Sequence, residues 1–300
     1  MTGNMEFDRK LEFRYGVVEQ LSPLVRRVIA PNPSPFTFHG TGTYIVGKGK
    51  VSIIDPGPNI PSHITAVLDA VRDETVTDIV VTHTHIDHSP ATPHVKAATG
   101  ATTWGFGPHG TKDTGERVEE GADYDFVPDR TLHDGAFVEG SGWTLESIHT
   151  PGHTSNHICL VLKEENVMFS GDHVMGWSTS VISPPDGNMG SYLQSLEKLL
   201  TRKEVRYWPT HGPAIEKPQE FVRAFIAHRK KREEDIEACL KSGLYKIPLI
   251  VKELYTSVDP KLYGAAGRSV LAHLAHMAET GRVVCDGKPT IESSFKPQSL

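Results

Sequence analysis

The stretch from Val80 to Ser89, VVTHTHIDHS, constrains the fold more than any other part of the sequence. An apolar run ends at Thr82, and three histidines and an aspartate follow within the next six residues. Ser89 and Pro90 come next, and these residue types favour the N-cap and the first position of a helix. The pattern therefore predicts a strand, a tight turn and a helix. Imidazole and carboxylate groups packed this closely are typical of a site for zinc or another borderline divalent ion.

Length and composition indicate one large domain followed by a small one. The chain has 300 residues, of which 38% are hydrophobic, so it can bury a sizeable core. Residues 1–212 carry 17 Lys/Arg and 26 Asp/Glu, whereas residues 213–300 carry 14 and 11. An acidic body thus precedes a mildly basic tail, which hints at two units with different partners.

The cysteines and the apolar runs bear on the compartment. The three cysteines are far apart and form no C-x-x-C motif, which is typical of a reducing compartment. No apolar run reaches the ~18 residues of a membrane-spanning helix. The first residues, MTGNMEFDRKLEFRYG, contain acids and lack the apolar core of a signal peptide. We therefore expect a cytoplasmic protein that does not contact a membrane.

Candidate ligands follow the ends of several predicted strands. Beyond the histidine turn, His153 follows a strand over residues 143–149, Asp172 follows one over 167–169, and His211 follows one over 205–208. Because strand ends in layered α/β folds can present side chains to one point, these segments are expected to build a single metal site. Asp55 ends a further strand, where it could orient a ligand histidine or form an Asx-type turn with Pro56.

These motifs resemble those of the metallo-β-lactamase-fold hydrolases. The family pattern H-x-H-x-D-H is present from His83 to His88, and its later ligands resemble His153 in PGHT, Asp172 in SGDH and His211 in THGP. The entry turn IDPG stands at residues 54–57. The resemblance covers residues 15 to about 240. It implies an α/β protein of the four-layer αββα sandwich type, with the site at one edge between two sheets.

The tail resembles the winged helix that one β-lactamase-like branch of this family carries at its C-terminus. Two helical segments and a β-turn follow Gly243 within about fifty residues, a length typical of a small appended unit. We therefore predict a catalytic domain over residues 1–240 and a winged-helix-like domain over residues 241–300.

The resemblance implies two divalent metal ions, most simply zinc, with iron or manganese as alternatives. The implied ligands of the first ion are His83, His85 and His153. The implied ligands of the second ion are Asp87, His88 and His211. Asp172 would bridge the two ions. A hydroxide between them would hydrolyse an ester or thioester, with Asp87 and Asp172 as the catalytic carboxylates.

Membership of a fold family does not fix the reaction, and several alternatives stay open. Zinc β-lactamases with this motif are exported and lack the carboxylate at Asp172, and flavin-linked di-iron reductases carry glutamate at the position of His85. Both classes are disfavoured here. Glyoxalase II-like and acyl-carrier thioesterase-like hydrolysis of a small molecule remains the first hypothesis. Single-stranded RNA cleavage, mononuclear-iron sulfur dioxygenation and a nucleic-acid-binding module with a metal site are the alternatives, and a homodimer is also open.

Further residues carry two interpretations each. His173 follows the bridging carboxylate and could donate a proton to a leaving group, or it could be a structural histidine. Tyr192 lies in a predicted helix before the last ligand and could line the substrate pocket or pack in the core. The polar segment over residues 107–129 could be a lid or a surface loop without a role. The basic run from Arg229 to Arg232 could contact RNA or form a solvated helix face.

Overall fold

The computed structural model describes residues 7–111 and 121–298 of the chain. Within those ranges no helix is long and apolar enough to cross a membrane. The larger of two central sheets has the order β1-β2-β3-β4-β5-β6-β7. Its strands are β1 (Glu19–Gln20), β2 (Val25–Ile29), β3 (Gly42–Lys48), β4 (Lys50–Ile54), β5 (Thr75–Val80), β6 (Thr102–Gly105) and β7 (Arg130–Thr131). Strands β1 to β4 pair antiparallel, and β4 to β7 pair parallel.

The second sheet has the order β12-β11-β10-β9-β8. Its strands are β8 (Phe137–Gly140), β9 (Trp143–His149), β10 (Ile158–Leu162), β11 (Val167–Gly171) and β12 (Arg206–Pro209). Helices provide the crossovers that parallel neighbours need. Helix α1 (Pro61–Ala70) joins β4 to β5, α2 (Thr92–Thr99) joins β5 to β6, and α3 (Met189–Leu199) lies between β11 and β12.

Successive side chains of each strand point to opposite faces of its sheet, which places them in different layers. Ile53 packs with Val67 of α1 on the outer face of the first sheet, whereas its neighbour Ile54 packs between the sheets with Leu160. On the second sheet Cys159 faces outward, in the cluster that contains Leu196 of α3. Since side chains two apart on a strand share a face, both sheets are buried on both sides. The predicted four-layer αββα sandwich is confirmed.

The C-terminal region forms its own core around a long helix. It comprises α4 (Pro218–Lys241), α5 (Ile247–Leu254), a 3₁₀ turn (Pro260–Leu262), α6 (Tyr263–Glu279) and the hairpin of β13 (Val283–Cys285) and β14 (Phe295–Pro297). Helix α4 contributes Phe225 to the outer layer of the sandwich and Ile236 and Leu240 to this second core. The division of domains at residue 240 stays a prediction, because α4 belongs to both cores.

One helix start differs from the sequence prediction, and a second is capped locally. Helix α2 begins at Thr92 with Ala91 at the N-cap, because the Ser89 hydroxyl donates to Asp123 Oδ2 at 2.6 Å and does not cap the helix. Helix α3 begins at Met189, and its N-cap Asn188 accepts from the Ser191 N–H at 2.8 Å. Asn188 thus caps α3 locally, whereas a partner distant in the sequence, Asp123, engages Ser89 before α2. Sequence spacing alone does not show such a partner.

Candidate metal centre

The candidate ligands leave the ends of strands from both sheets. Asp55 follows β4, and the histidine turn follows its parallel neighbour β5. In the second sheet His153 lies beyond β9, Asp172 follows β11, and His211 lies beyond its parallel neighbour β12. Parallel neighbours end at the same edge of a sheet, so two turns from each sheet meet where the sheets face each other. The predicted ligands lie together at this edge.

The first group consists of three imidazoles. The Nδ1 atom of His85 lies 3.0 Å from His83 Nε2 and 3.0 Å from His153 Nε2. Tetrahedral zinc with nitrogen ligands at about 2.05 Å separates those nitrogens by about 3.3 Å. Burial, and to a smaller extent the neighbouring histidines, lowers the pKa of His83 and of His85 well below the usual value. Burial also lowers the pKa of His153. Neutral imidazoles present lone pairs, so this group suits a divalent cation.

The second group combines a carboxylate with two imidazoles. Asp87 Oδ2 lies 3.4 Å from His88 Nε2 and 3.2 Å from His211 Nε2. The Oδ2 atom of Asp172 lies 3.5 Å from His88 Nε2, 3.3 Å from His211 Nε2 and 3.8 Å from His153 Nε2. Asp172 therefore reaches ligands of both groups. This is the position that a carboxylate shared by two ions would need.

The pKa shifts within this second group indicate that its carboxylates favour a positive charge beside them. Burial lowers the pKa of His88, but the carboxylates around it outweigh burial and raise that pKa well above its usual value. Against the same burial, Asp172 and Asp87 raise the pKa of His211 to about 10. Both carboxyl groups keep a pKa well below the usual value despite burial, because these histidines face them. The carboxylates are thus ionised and ready to bind a cation.

Two buried polar atoms at the centre have no hydrogen-bond partner within the described residues. They are His88 Nε2 and Asp172 Oδ1. Buried polar groups are nearly always satisfied, and leaving one unsatisfied costs about 1–3 kcal/mol. An ion in contact with both atoms would remove that cost. The residues present therefore fit divalent metal ions.

Asp55 orients the ligand turn. Its side chain is almost fully buried, and its Oδ2 accepts from His88 Nδ1 at 2.9 Å. The N–H of Thr82 donates to Oδ1 at 2.7 Å, and the Thr82 hydroxyl donates to Oδ2 at 2.8 Å. The carboxylate thus directs the Nε2 atom of His88 toward the other ligands. These contacts favour ligand orientation over an Asx-type turn, and the role of Asp55 stays a prediction.

Other ligands are held by groups that the sequence analysis did not single out. His211 Nδ1 donates to the Gly40 carbonyl at 3.1 Å, and His153 Nδ1 donates to the Val181 carbonyl at 2.6 Å. The Thr41 hydroxyl donates to Asp87 Oδ2 at 2.8 Å. Each contact fixes which side-chain atom faces the cluster. Carbonyl partners carry no sequence signal.

His157 is a functional candidate that the sequence analysis missed. Its Nε2 accepts from the Asp172 N–H at 3.2 Å, and its Nδ1 lies 2.9 Å from the Thr150 hydroxyl. Burial first, and then nearby histidines, lower its pKa well below the usual value. A neutral His157 therefore holds the backbone of Asp172. The only available signal was its position four residues after His153, directly before β10.

His173 and Tyr192 lie behind the centre and pack against each other, with ring centroids 4.7 Å apart. The Tyr192 hydroxyl donates to the His173 carbonyl at 2.8 Å, so Tyr192 supports the backbone next to Asp172. Burial lowers the pKa of His173 to about 3, which leaves the ring neutral at pH 7. Neither of its ring nitrogens has a hydrogen-bond partner within the described residues. A neutral ring does not carry the proton that a general acid would supply.

The segment predicted as a lid or loop, residues 107–129, is described in part, and residues 112–120 lie outside the described residues. Its ends pack on the ligand turn. The Asp123 N–H donates to the Thr84 carbonyl at 2.8 Å, and His109 Nδ1 lies 2.9 Å from the Thr84 hydroxyl. Phe126 is buried. These two ends are therefore fixed parts of the site wall, and the lid stays a prediction.

Comparison with known proteins agrees with this geometry. Residues 37–211 match the family model of the metallo-beta-lactamase superfamily. The chain belongs to that superfamily. Residues 247–291 match the beta-lactamase-associated winged helix domain, so the predicted C-terminal winged helix is confirmed. The superfamily match ends at His211, and α4 lies between the two matched regions.

Relatives within the superfamily cover most of the chain. A beta-lactamase-like protein 2 homolog from Caenorhabditis elegans is 36% identical over 75% of this chain and 73% of its own length. An atrochrysone carboxyl ACP thioesterase from Aspergillus novofumigatus is 32% identical over 80% and 72%. A solved beta-lactamase domain protein from Burkholderia ambifaria superimposes with a TM-score of 0.76 over 94% of both chains at 21% identity. The chain is accordingly a metallo-β-lactamase-fold hydrolase.

Proposed function

We propose that this protein is a binuclear metal-dependent hydrolase of a small acyl thioester or ester. The observation that carries the proposal is the pair of donor groups that both approach Asp172 at the junction of the two sheets. Similarity to acyl-carrier thioesterases over most of the chain supports a thioester as the substrate class. The proposed ions are zinc, with iron or manganese as alternatives.

The proposed roles follow from the contacts of each side chain. His83, His85 and His153 would hold one ion. Asp87, His88 and His211 would hold the other, and Asp172 would contact both. Divalent ions bound there would supply Lewis acidity and lower the pKa of water. The protein itself holds four of the five imidazoles through Asp55, Thr82 and two backbone carbonyls, and it buries all five imidazoles away from bulk water.

The contacts of the basic run weigh against RNA as the substrate. Arg229 is buried, Lys231 pairs with Asp235 at 2.6 Å, and the Arg232 guanidinium lies over the Tyr255 ring at 4.5 Å. Phosphate binding depends on Lys and Arg side chains that are free to neutralise a polyanion. Most of this run is engaged within the protein, which favours a small substrate.

The test combines metal content with two substrate probes. Metal per chain is measured by elemental analysis of the purified protein. An acyl N-acetylcysteamine thioester is followed by thiol release, and a fluorescent single-stranded RNA is followed on gels. We expect about two metal ions per chain and thioester cleavage. We also expect Asp172→Asn to lower kcat/KM by about 100-fold or more, since this carboxylate contacts both ligand groups.

Asp78→Asn is the matched control. Asp78 is a largely buried aspartate of β5 that accepts from Trp104 Nε1 at 2.7 Å and has no contact with the ligands. Its variant should keep wild-type kcat/KM. RNA cleavage without thioester cleavage would overturn the substrate class. One iron per chain with neither probe cleaved would overturn the hydrolase proposal and favour a mononuclear sulfur dioxygenase.

A further inference from the structure

Arg229 is a buried cation without a carboxylate partner within the described residues. Only 3% of its surface is exposed, and its Nε atom has no hydrogen-bond partner among those residues. One terminal nitrogen donates to the Ser180 carbonyl, and the guanidinium lies over the Tyr192 ring at 5.3 Å. Buried charges are costly and are normally paired. A position that keeps such a charge therefore calls for an explanation.

The contacts of Arg229 lead to a candidate metal ligand. Ser180 precedes Val181, whose carbonyl accepts from His153 Nδ1 at 2.6 Å. That hydrogen bond places the proton on Nδ1 and leaves the lone pair of Nε2 directed at His85. The orientation and the tautomer of His153 therefore depend on where the Val181 carbonyl lies, one residue beyond the Ser180 carbonyl that Arg229 holds.

Within the described residues, few other contacts hold the segment that contains Ser180 and Val181. Residues 172–188 contain neither helix nor strand, so no backbone ladder holds them. The Ser180 hydroxyl donates to the His173 carbonyl at 2.8 Å, and Ile182 is buried in the outer-layer cluster. The Ser180 carbonyl itself accepts a hydrogen bond from the Arg229 guanidinium. A side chain on α4 thus sets the position of an irregular segment against the ligand.

The same face of α4 is anchored to the winged helix one turn further on. Glu233 accepts from His276 Nδ1 at 2.8 Å and from the Arg282 guanidinium at 2.6 Å. Residues four apart lie on one helix face, so Arg229 and Glu233 form a continuous polar stripe. The stripe connects the C-terminal core to the loop behind His153.

We propose that Arg229 is a positioning residue: it holds the Ser180 carbonyl, thereby places the Val181 carbonyl of the next peptide, and so directs His153 at the first metal ion. This inference rests on the proposed metal centre. Its consequence is that the first ion binds more weakly when the guanidinium is lost, although Arg229 contacts neither the ion nor any ligand side chain. The winged helix, through α4, becomes part of the scaffold of the metal centre.

The test measures metal affinity of metal-free protein without any substrate. Arg229→Met removes the donor and keeps the length of the side chain, Arg229→Lys keeps the charge and a donor, and Arg223→Met is the exposed control on the same helix. Co²⁺ affinity is measured by competition with a chromogenic chelator, and Tm of the metal-free protein by calorimetry. We expect Arg229→Met to weaken Co²⁺ binding at one of the two sites, assigned to the first ion, about tenfold or more, as for other residues that orient ligands. Arg229→Lys should recover part of this loss, and Arg223→Met should match wild type.

A lower Tm for Arg229→Met with unchanged Co²⁺ affinity would overturn the inference and leave Arg229 a structural residue. If Arg229→Met does not fold, Arg229→Gln is measured by the same criterion. Wild-type protein without Co²⁺ affinity would overturn this inference and the proposed metal centre together. Tight Co²⁺ binding without thioester cleavage would overturn the proposed reaction alone, because the affinity comparison between variants does not use a substrate.

Discussion

Replacing Asp55 with asparagine tests whether hydrogen bonding behind the ligands controls metal binding. The substitution keeps size and shape but exchanges one carboxylate oxygen for an NH₂ group. The amide oxygen of the new side chain can still accept from the Thr82 N–H, which donates to Asp55 Oδ1 at 2.7 Å. The NH₂ group would then face His88 Nδ1, now 2.9 Å from Asp55 Oδ2. Two donors cannot share a hydrogen bond, so the His88 proton would move to Nε2, the atom that faces the other ligands.

The expected cost can be estimated from this contact. A hydrogen bond to a charged group contributes about 1.5–3 kcal/mol. Loss of a partner that orients a ligand typically lowers metal affinity by about 10- to 100-fold, which corresponds to about 1.4–2.8 kcal/mol. The two estimates agree. We therefore expect Asp55→Asn to weaken the second ion, whose candidate ligands include His88, and to leave the first ion, bound by other histidines, nearly unchanged.

The assay is a Co²⁺ titration of metal-free protein that resolves two affinities. Asp78→Asn is the control, because it makes the same chemical change at a largely buried aspartate that contacts Trp104 and no ligand. It should lower stability without changing either affinity. Wild-type affinity at both sites of Asp55→Asn would refute the reasoning, since it would show that the His88 tautomer does not depend on this carboxylate.

Three further predictions follow from other contacts. Glu233→Gln should lower the free energy of unfolding by about 2 kcal/mol at pH 7. The winged-helix contacts of Glu233 outweigh its burial and depress its pKa. The loss of stability relative to wild type, measured in denaturant titrations, should therefore shrink as the pH falls below about 4.5. Gly171→Ala should weaken Co²⁺ binding in the same competition assay, because its φ is +52° and a Cβ there would clash with His157 Nε2, whereas Gly135→Ala, with open space around it, should not. Removal of metal by a chelator should lower Tm, since free metal at 100 times its Kd adds about 2.7 kcal/mol to the free energy of unfolding. In calorimetry, the chelator should lower the Tm of Asp172→Asn by less than that of wild type.

The clustering of the candidate ligands could be predicted from local patterns, whereas the four-layer sandwich was implied by the family resemblance. Alternation around Ile53 and Ile54 places neighbouring side chains in different layers, and the structure shows that separation. The H-x-H-x-D-H turn concentrates four candidate ligands in six residues. Such patterns involve residues close together in the sequence, and the end of a strand determines the direction of their side chains.

The groups that orient the ligands could not be predicted in the same way. The carbonyls of Gly40 and Val181 become partners only through the path of the chain, which residue types do not encode. His157 directly precedes β10 in a sequence environment like that of any buried histidine. Arg229 lies in a basic run that suggests a solvated face, yet packing against Tyr192 buries it. Long-range packing decides all of these contacts.

The path of α4 bears on the role of the winged helix. Its 24 residues form one unbroken helix with Phe225 in the core of the sandwich and Leu240 in the C-terminal core. Ala272 of α6 also packs into the outer layer of the sandwich. A continuous helix of 24 residues is about 36 Å long and stiff. The two cores therefore cannot shift independently along it without breaking backbone hydrogen bonds or buried contacts. With Arg229 and Glu233 on the intervening turns, the winged helix is better placed to brace the metal centre than to move separately onto a nucleic acid.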